Sequence, residues 1–282
     1  MPAAPGSYGR RCMPDAPPFV FAAILSLLAV LGMTLLLSGS RRLPGAGRRL
    51  HAALCRAPGL DVVMAALTLA PPVVGGLAAG WPGLLGALLG QAAALPLWAF
   101  GHRRIHRRPG PRLEATQARM VGRVRNHAAL WVSLLALPLF WGLRAGEVLL
   151  YPLIRRLMGF PPYRHGDWVS VSRHRHEGLV GHDLVWCLYC DWMTGVFSLA
   201  GEMLRNVESF WCPVQFLDAA KCEHCQVDFP DVKQWASPDG TLEPVVRLMQ
   251  EQYGDGQRGW FGHPARLTID GDPPEPPTTH EG

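Results

Sequence analysis

Charge is scarce in this sequence. Only 17% of the 282 residues are Asp, Glu, Lys or Arg, and 49% are hydrophobic, whereas a soluble domain carries roughly 25% charged residues. A disordered chain needs the reverse balance, so disorder is excluded for most of the length. Acidic residues are nearly missing from the first half. Residues 1–143 hold 15 basic and 3 acidic side chains, a net +12, and residues 144–282 hold 12 and 19, a net −7. Hydrolase and phosphoryl-transfer signatures are missing too: there is no GxSxG, no P-loop and no HExxH, which favours a non-enzyme. The basic pI of about 9.0 would suit nucleic acid, but the arginines flank apolar runs and no aromatics interleave with them to stack bases. A bilayer is the expected partner, and nucleic acid is not.

What is present is long apolar stretches. No charge occurs from Ala16 to Ser40, and Phe19–Leu37 is almost wholly apolar; about 20 such residues span a bilayer as a helix. A cleaved signal peptide would have a shorter core and a small-residue cleavage site. Here Arg41, Arg42, Arg48 and Arg49 follow the run as a stop-transfer pattern. A second charge-free stretch, Val62–Gly101, is broken at Gly80-Trp81-Pro82-Gly83, which predicts a helical hairpin with arms over 62–80 and 82–100. Gly86 and Gly90 form a GxxxG, a spacing that lets helices approach closely, although in a glycine-rich stretch the motif is weakly specific. A fourth span is expected over 128–150, if Arg144 and Glu147, three apart on a helix, pair with one another.

Arginine counts orient these spans. Loop 39–59 carries five arginines and loop 101–127 carries eight, while the turn at 80–83 has none. Both loops are therefore expected in the cytoplasm, in a cell (plasma or inner) membrane. The side on which the C-terminal half lies depends on whether 128–150 spans.

The second half reads differently. An amphipathic piece, Glu147–Met158, is ended by Phe160-Pro161-Pro162-Tyr163. Asp167–Ser172 alternates polar and apolar residues and predicts a short strand. Asp191–Phe210 fits a helix whose stripe of Met193, Val196, Phe197, Ala200, Met203, Leu204 and Val207 faces a core or a membrane surface. With Glu202, Arg205 and Glu208 opposite, it is too polar for a span. Thr241–Tyr253 is a further helix, and the tail 263–282 is expected to be disordered.

Five of the seven cysteines lie between 187 and 225. Cys187-x2-Cys190 and Cys222-x2-Cys225 are spaced so that each pair, from a tight turn, supplies two corners of a tetrahedral Zn2+ site. Cys212, His182 and His224 are possible substitutes. An iron–sulfur cluster, a thiol-redox pair and plain disulfides are the competing chemistries. His174, His176, Asp228 and Asp231 are further polar candidates, each more simply a solvated loop residue. The expected fold is thus mainly α: a segment 1–18, three or four transmembrane helices within 19–158, and a small α-rich cysteine domain over 159–262. The expected role is anchoring or assembly of a protein partner at the membrane. A membrane-bound redox protein or metalloenzyme is the alternative.

Overall fold

The structure, a computed structural model, describes residues 17–106, 112–160, 162–173, 179–211 and, near the C-terminus, 240–244, 246–247 and 250. It is mainly helical, with no strand among the described residues. Four stretches are helical, long and apolar enough to cross a membrane: Pro18–Ser40, Gly59–Ile105, Arg123–Met158 and His182–Val207. The chain divides into two compact units. Unit 1 draws on Met1–Arg112 and His176–Trp186, and unit 2 on Leu113–Arg175 and Cys187–Gly282.

Unit 1 contains helix α1 (Pro18–Arg42), the short basic helix α2 (Ala46–Leu54), α3 (Gly59–Met64), a π-helical turn (Ala65–Leu69) and α4 (Ala70–Ile105). A straight helix from Gly59 to Ile105 would be roughly 70 Å long, more than twice the bilayer core of about 30 Å. It does not run straight. Ala79 and Gly80 leave helical geometry, and Gly80 takes φ 60°, ψ −146°, a conformation open only to glycine. The chain folds back there, as the Gly80-Trp81-Pro82-Gly83 break predicts. Gly75 and Gly83 meet across the fold, each so close to the other's carbonyl that a Cβ would collide.

Prolines inside the first arm create a local debt that the second arm settles. Pro71 and Pro72 have no N–H, so the carbonyls of Leu67 and Thr68, four residues earlier, lose their usual helical donors. The side-chain amide of Gln91 donates to both, at 2.8 Å to Leu67 O and 3.1 Å to Thr68 O. Without water at membrane depth, such carbonyls must find a donor inside the protein.

Helix α1 also packs on the second arm. Cβ atoms at Gly86 and Gly90 would strike the backbone of Phe19 and Ala23, and Ser26 Oγ donates to Ala87 O at 2.9 Å. The GxxxG is thus a true helix–helix contact. Its register also gives direction, because 86 meets 19 and 90 meets 23: α1 and the second arm run parallel. Their C-terminal ends, with Arg41 and Arg42 on one and Arg103 and Arg104 on the other, therefore lie at the same end of unit 1. The helix dipole favours cations there. Gly181 joins this end, with its N–H donating to His102 Nδ1 at 3.2 Å.

Unit 2 contains α5 (Leu113–Val121), α6 (Arg123–Ser133), a 3-10 turn, α7 (Leu137–Ala145), a π turn, α8 (Tyr151–Met158), the single-turn helix α9 (His165–Trp168) and most of α10 (His182–Trp211). Helices α6 to α8 follow one another with helical geometry at each junction, and α8 stops at Gly159, which is left-handed at φ 68°. Contacts with α10 advance in the same direction along both partners. Tyr189 OH donates to Ser133 O at 2.9 Å, Trp192 meets Phe140 and Trp141, and Asn206 lies beside Tyr163, whose ring packs on Tyr151. The two rods are parallel, so the chain between them must return along their length.

That return corrects the expected strand at Asp167–Ser172. Val169 and Val171 do point inward, as the alternation implies. Their partner, however, is a helix rather than another strand. Gly195 of α10 lets the backbone of Trp168 and Val169 approach to contact, and the amides of Ser172 and Arg173 donate to the Asp191 carboxylate at 3.1 and 3.2 Å. A side chain supplies the acceptor that a neighbouring strand would otherwise provide.

Helix α10 corrects a second expectation. The predicted helix Asp191–Phe210 is part of a longer one, of which His182–Val207 has the length and hydropathy of a span. Its acidic and amide groups point inward: Glu202 and Asn206 are each 1% exposed, while Phe197 and Leu204 are each 64% exposed. Val196 and Met203 are buried as expected. The helix buries these polar groups beside apolar ones and exposes large apolar side chains, the reverse of a soluble amphipathic helix. Counting its polar residues misjudges it, because these residues face protein.

Candidate functional site: a buried charge network in unit 2

Four segments bring ionisable groups together inside unit 2. Arg144 on α7 is 3% exposed and Glu147, in the following π turn, 2% exposed. Their side chains meet at 2.5 Å, so the expected pairing is present, in a fully buried setting. The same guanidinium nitrogen lies 2.8 Å from His165 Nδ1. Arginine only donates, so His165 accepts through Nδ1 and carries its proton on Nε2. The returning segment is thereby tied to α7.

Farther along, Tyr163 OH donates to Glu202 Oε1 at 3.5 Å, and Asn206 Nδ2 donates to Tyr163 OH. Arg205 closes on the other Glu202 oxygen at 3.1 Å. At the opposite end of the segment, Arg173 Nε reaches Asp191 at 2.9 Å. Aromatic rings fill the space between these groups: Tyr151 against Phe160 and Tyr163, Tyr163 against Trp168, and Phe160 against Trp211. Isolated buried charges are costly, and a buried pair is tolerated only with good geometry and further hydrogen bonds. Each carboxylate here has an arginine of the same unit beside it.

The expected metal ligands are placed only in part. Cys187 and Cys190 lie within α10 rather than in a tight turn; Cys187 is buried and Cys190 half-buried. His182 begins the same helix and accepts a hydrogen bond from Trp186 Nε1 at 3.3 Å. Cys212, Cys222, Cys225, His224, His174, His176, Asp228 and Asp231 lie outside the described residues, as do the tail 263–282 and much of Thr241–Tyr253. Among the described residues no group of three or more His, Cys, Asp or Glu side chains is arranged to hold a metal ion.

The helix constrains any four-cysteine arrangement. At a rise of about 1.5 Å per residue, Trp211 stands roughly 32 Å from Cys190. The chain from Trp211 to Cys222 reaches at most about 40 Å when fully extended. Joining the two pairs requires that segment to run back along α10 in a largely extended form. Gly254-Asp-Gly256-Gln-Arg-Gly259 has the form GxGxxG, but it follows the expected helix Thr241–Tyr253 rather than a strand, which is not the setting of a dinucleotide site.

Sequence reasoning missed Glu202, Asn206, Tyr163 and Asp191 as a group, since their partners lie far away in sequence. The available signal was the presence of acids on a helix whose remaining surface is apolar. Compared with known proteins, the chain matches no family model, no curated protein and no solved structure.

Proposed function

We propose that this chain is an integral membrane anchoring and assembly protein of the cell membrane. Unit 1 is the anchor, with its cationic end in the cytoplasm. Unit 2 is a scaffold that holds a protein partner with the help of the C-terminal residues. The observation carrying this reading is the matching of charges: Glu147 with Arg144, Glu202 with Arg205, and Asp191 with Arg173. Two of these pairs neutralise a buried carboxylate within its own helix, while Arg173 with Asp191 and Arg144 with His165 tie the returning segment to the helices, which is the fixed arrangement a docking scaffold requires. If α10 crosses the bilayer, the non-helical return lies at membrane depth, where protein must surround it.

The test is affinity purification in mild detergent after cross-linking in cells, comparing the full chain with a chain truncated after Trp211. The reading expects resistance to alkaline carbonate, and a protein partner retained by the full chain and lost by the truncation. A full chain that purifies alone, even after cross-linking, contradicts it.

A structural zinc on Cys187, Cys190, Cys222 and Cys225 is a separable part of the proposal. It would join the C-terminal residues to α10 and add binding energy to folding. Metal analysis of the purified protein decides it. About one zinc per chain, lost in Cys222→Ser, supports the site, and equal zinc in both proteins contradicts it. Iron and a brown colour would instead favour the electron-transfer alternative.

A further inference from the structure

Unit 1 holds a thiol cluster that the anchoring role does not use. Cys55 caps the C-terminus of α2, and its Sγ lies 3.6 Å from Nε2 of His51, one turn earlier. The other ring nitrogen, Nδ1, lies 3.3 Å from Ser40 Oγ near the end of α1. Ser40 is buried, and His51 and Cys55 are half-buried.

The hydrogen bonds fix the roles of these groups. Ser40 O–H donates to Leu37 O at 3.0 Å, so its oxygen is the acceptor toward His51. The imidazole proton therefore sits on Nδ1, and Nε2 presents a lone pair to the thiol. This is the order of a nucleophile, a base and a group that orients the base.

Location narrows the chemistry. Ser40 ends one apolar span and Gly59 begins the next, so Cys55 sits where the chain leaves and re-enters the apolar layer. Leu43 and Leu50 of the same connection are exposed. We propose that Cys55 is a nucleophile that accepts a long-chain acyl group from an acyl thioester of the coenzyme A class. His51 Nε2 takes the Cys55 proton, and the sulfur attacks the thioester carbonyl carbon. As the tetrahedral species collapses, the bond from carbon to the donor sulfur breaks. The departing thiolate receives the proton from His51. One thioester replaces another and no redox partner is needed. The acyl chain is delivered beside the end of α1, and the arginines of this connection supply the charge that a phosphorylated donor needs. Ser40 is a positioning residue.

The experiment uses the full-length protein in detergent with palmitoyl-coenzyme A, read by intact and peptide mass. One acyl addition at Cys55, removed by neutral hydroxylamine, is expected. Cys55→Ala should abolish it, and His51→Gln should slow it by about 10²-fold or more. Ser40→Ala should raise the pH at which Cys55 reacts with iodoacetamide, and Ser40→Thr should restore it. The alkylation profile needs no acyl donor, so it reads the dyad even where acylation is slow. Acylation that spreads over the other cysteines, an unchanged rate in His51→Gln, or fast alkylation without any acyl transfer would overturn the proposal.

Discussion

The two units hold apolar helices together by opposite means. Unit 1 brings backbones into contact. Glycines at 75, 83, 86 and 90 remove side chains from the interfaces, and the arginines that end α1 and α4 are gathered at one end. Unit 2 places bulky rings and charges inside, with Arg144, Glu147, Glu202 and Asn206 all nearly inaccessible. In an apolar solvent, burial of apolar surface gives helices little reason to associate, so close packing and hydrogen bonds must do it. Unit 1 depends on the first and unit 2 on the second, and substitutions should separate them.

The largest effect is expected in unit 2. Arg144→Ala leaves Glu147 buried without its closest cation, and breaking a buried pair costs about 3–5 kcal/mol. The double change Arg144→Met with Glu147→Leu should recover most of that loss. Thermal unfolding in detergent, followed by the fluorescence of the tryptophans near α10, reads both. If the double variant is no better than the single one, the pair is more than a packing device.

Unit 1 should respond to volume rather than charge. Gly86→Leu drives a side chain into the backbone of Phe19 and should cost about 1–3 kcal/mol or more, whereas Gly39→Leu, with open space around it, should be nearly silent. Cross-linking between α1 and the second arm of α4 checks this, and equal effects at both positions would deny the parallel contact.

Gln91 links the two modes. Gln91→Leu keeps the volume but leaves the carbonyls of Leu67 and Thr68 without their donor, at about 1–3 kcal/mol for a buried unsatisfied group. The smallest effect is expected at Tyr189→Phe, about 1 kcal/mol for one hydrogen bond to Ser133.

This contrast also sets how much could be read in the sequence. The spans of unit 1 follow from local facts: a run without charge, a glycine-tryptophan-proline-glycine break, arginines after each run. The bond from Gln91 to the carbonyls orphaned by Pro71 and Pro72 was hidden only because it joins two arms. In unit 2 local pattern misled. The alternation at Val169 and Val171 was real, yet Asp191, not a strand, receives the next amides. The acids of α10 suggested water, when their partners were Tyr163, Arg205 and Arg173. The pairing of Arg144 with Glu147 was legible because helical spacing alone brings them together. The Cys55–His51 contact, at i, i+4, is likewise a helical spacing, but the role of Ser40 required the fold.

The account rests most heavily on the hairpin that places Arg41, Arg42, Arg103 and Arg104 at one end of unit 1. Single reporter cysteines at Arg48→Cys and Trp81→Cys, introduced without the seven native ones and probed in intact cells with a membrane-impermeant thiol reagent, test it directly. Labelling of Trp81→Cys from outside, with Arg48→Cys reached only after the membrane is opened, is the predicted result. Equal labelling of the two from one side would contradict it.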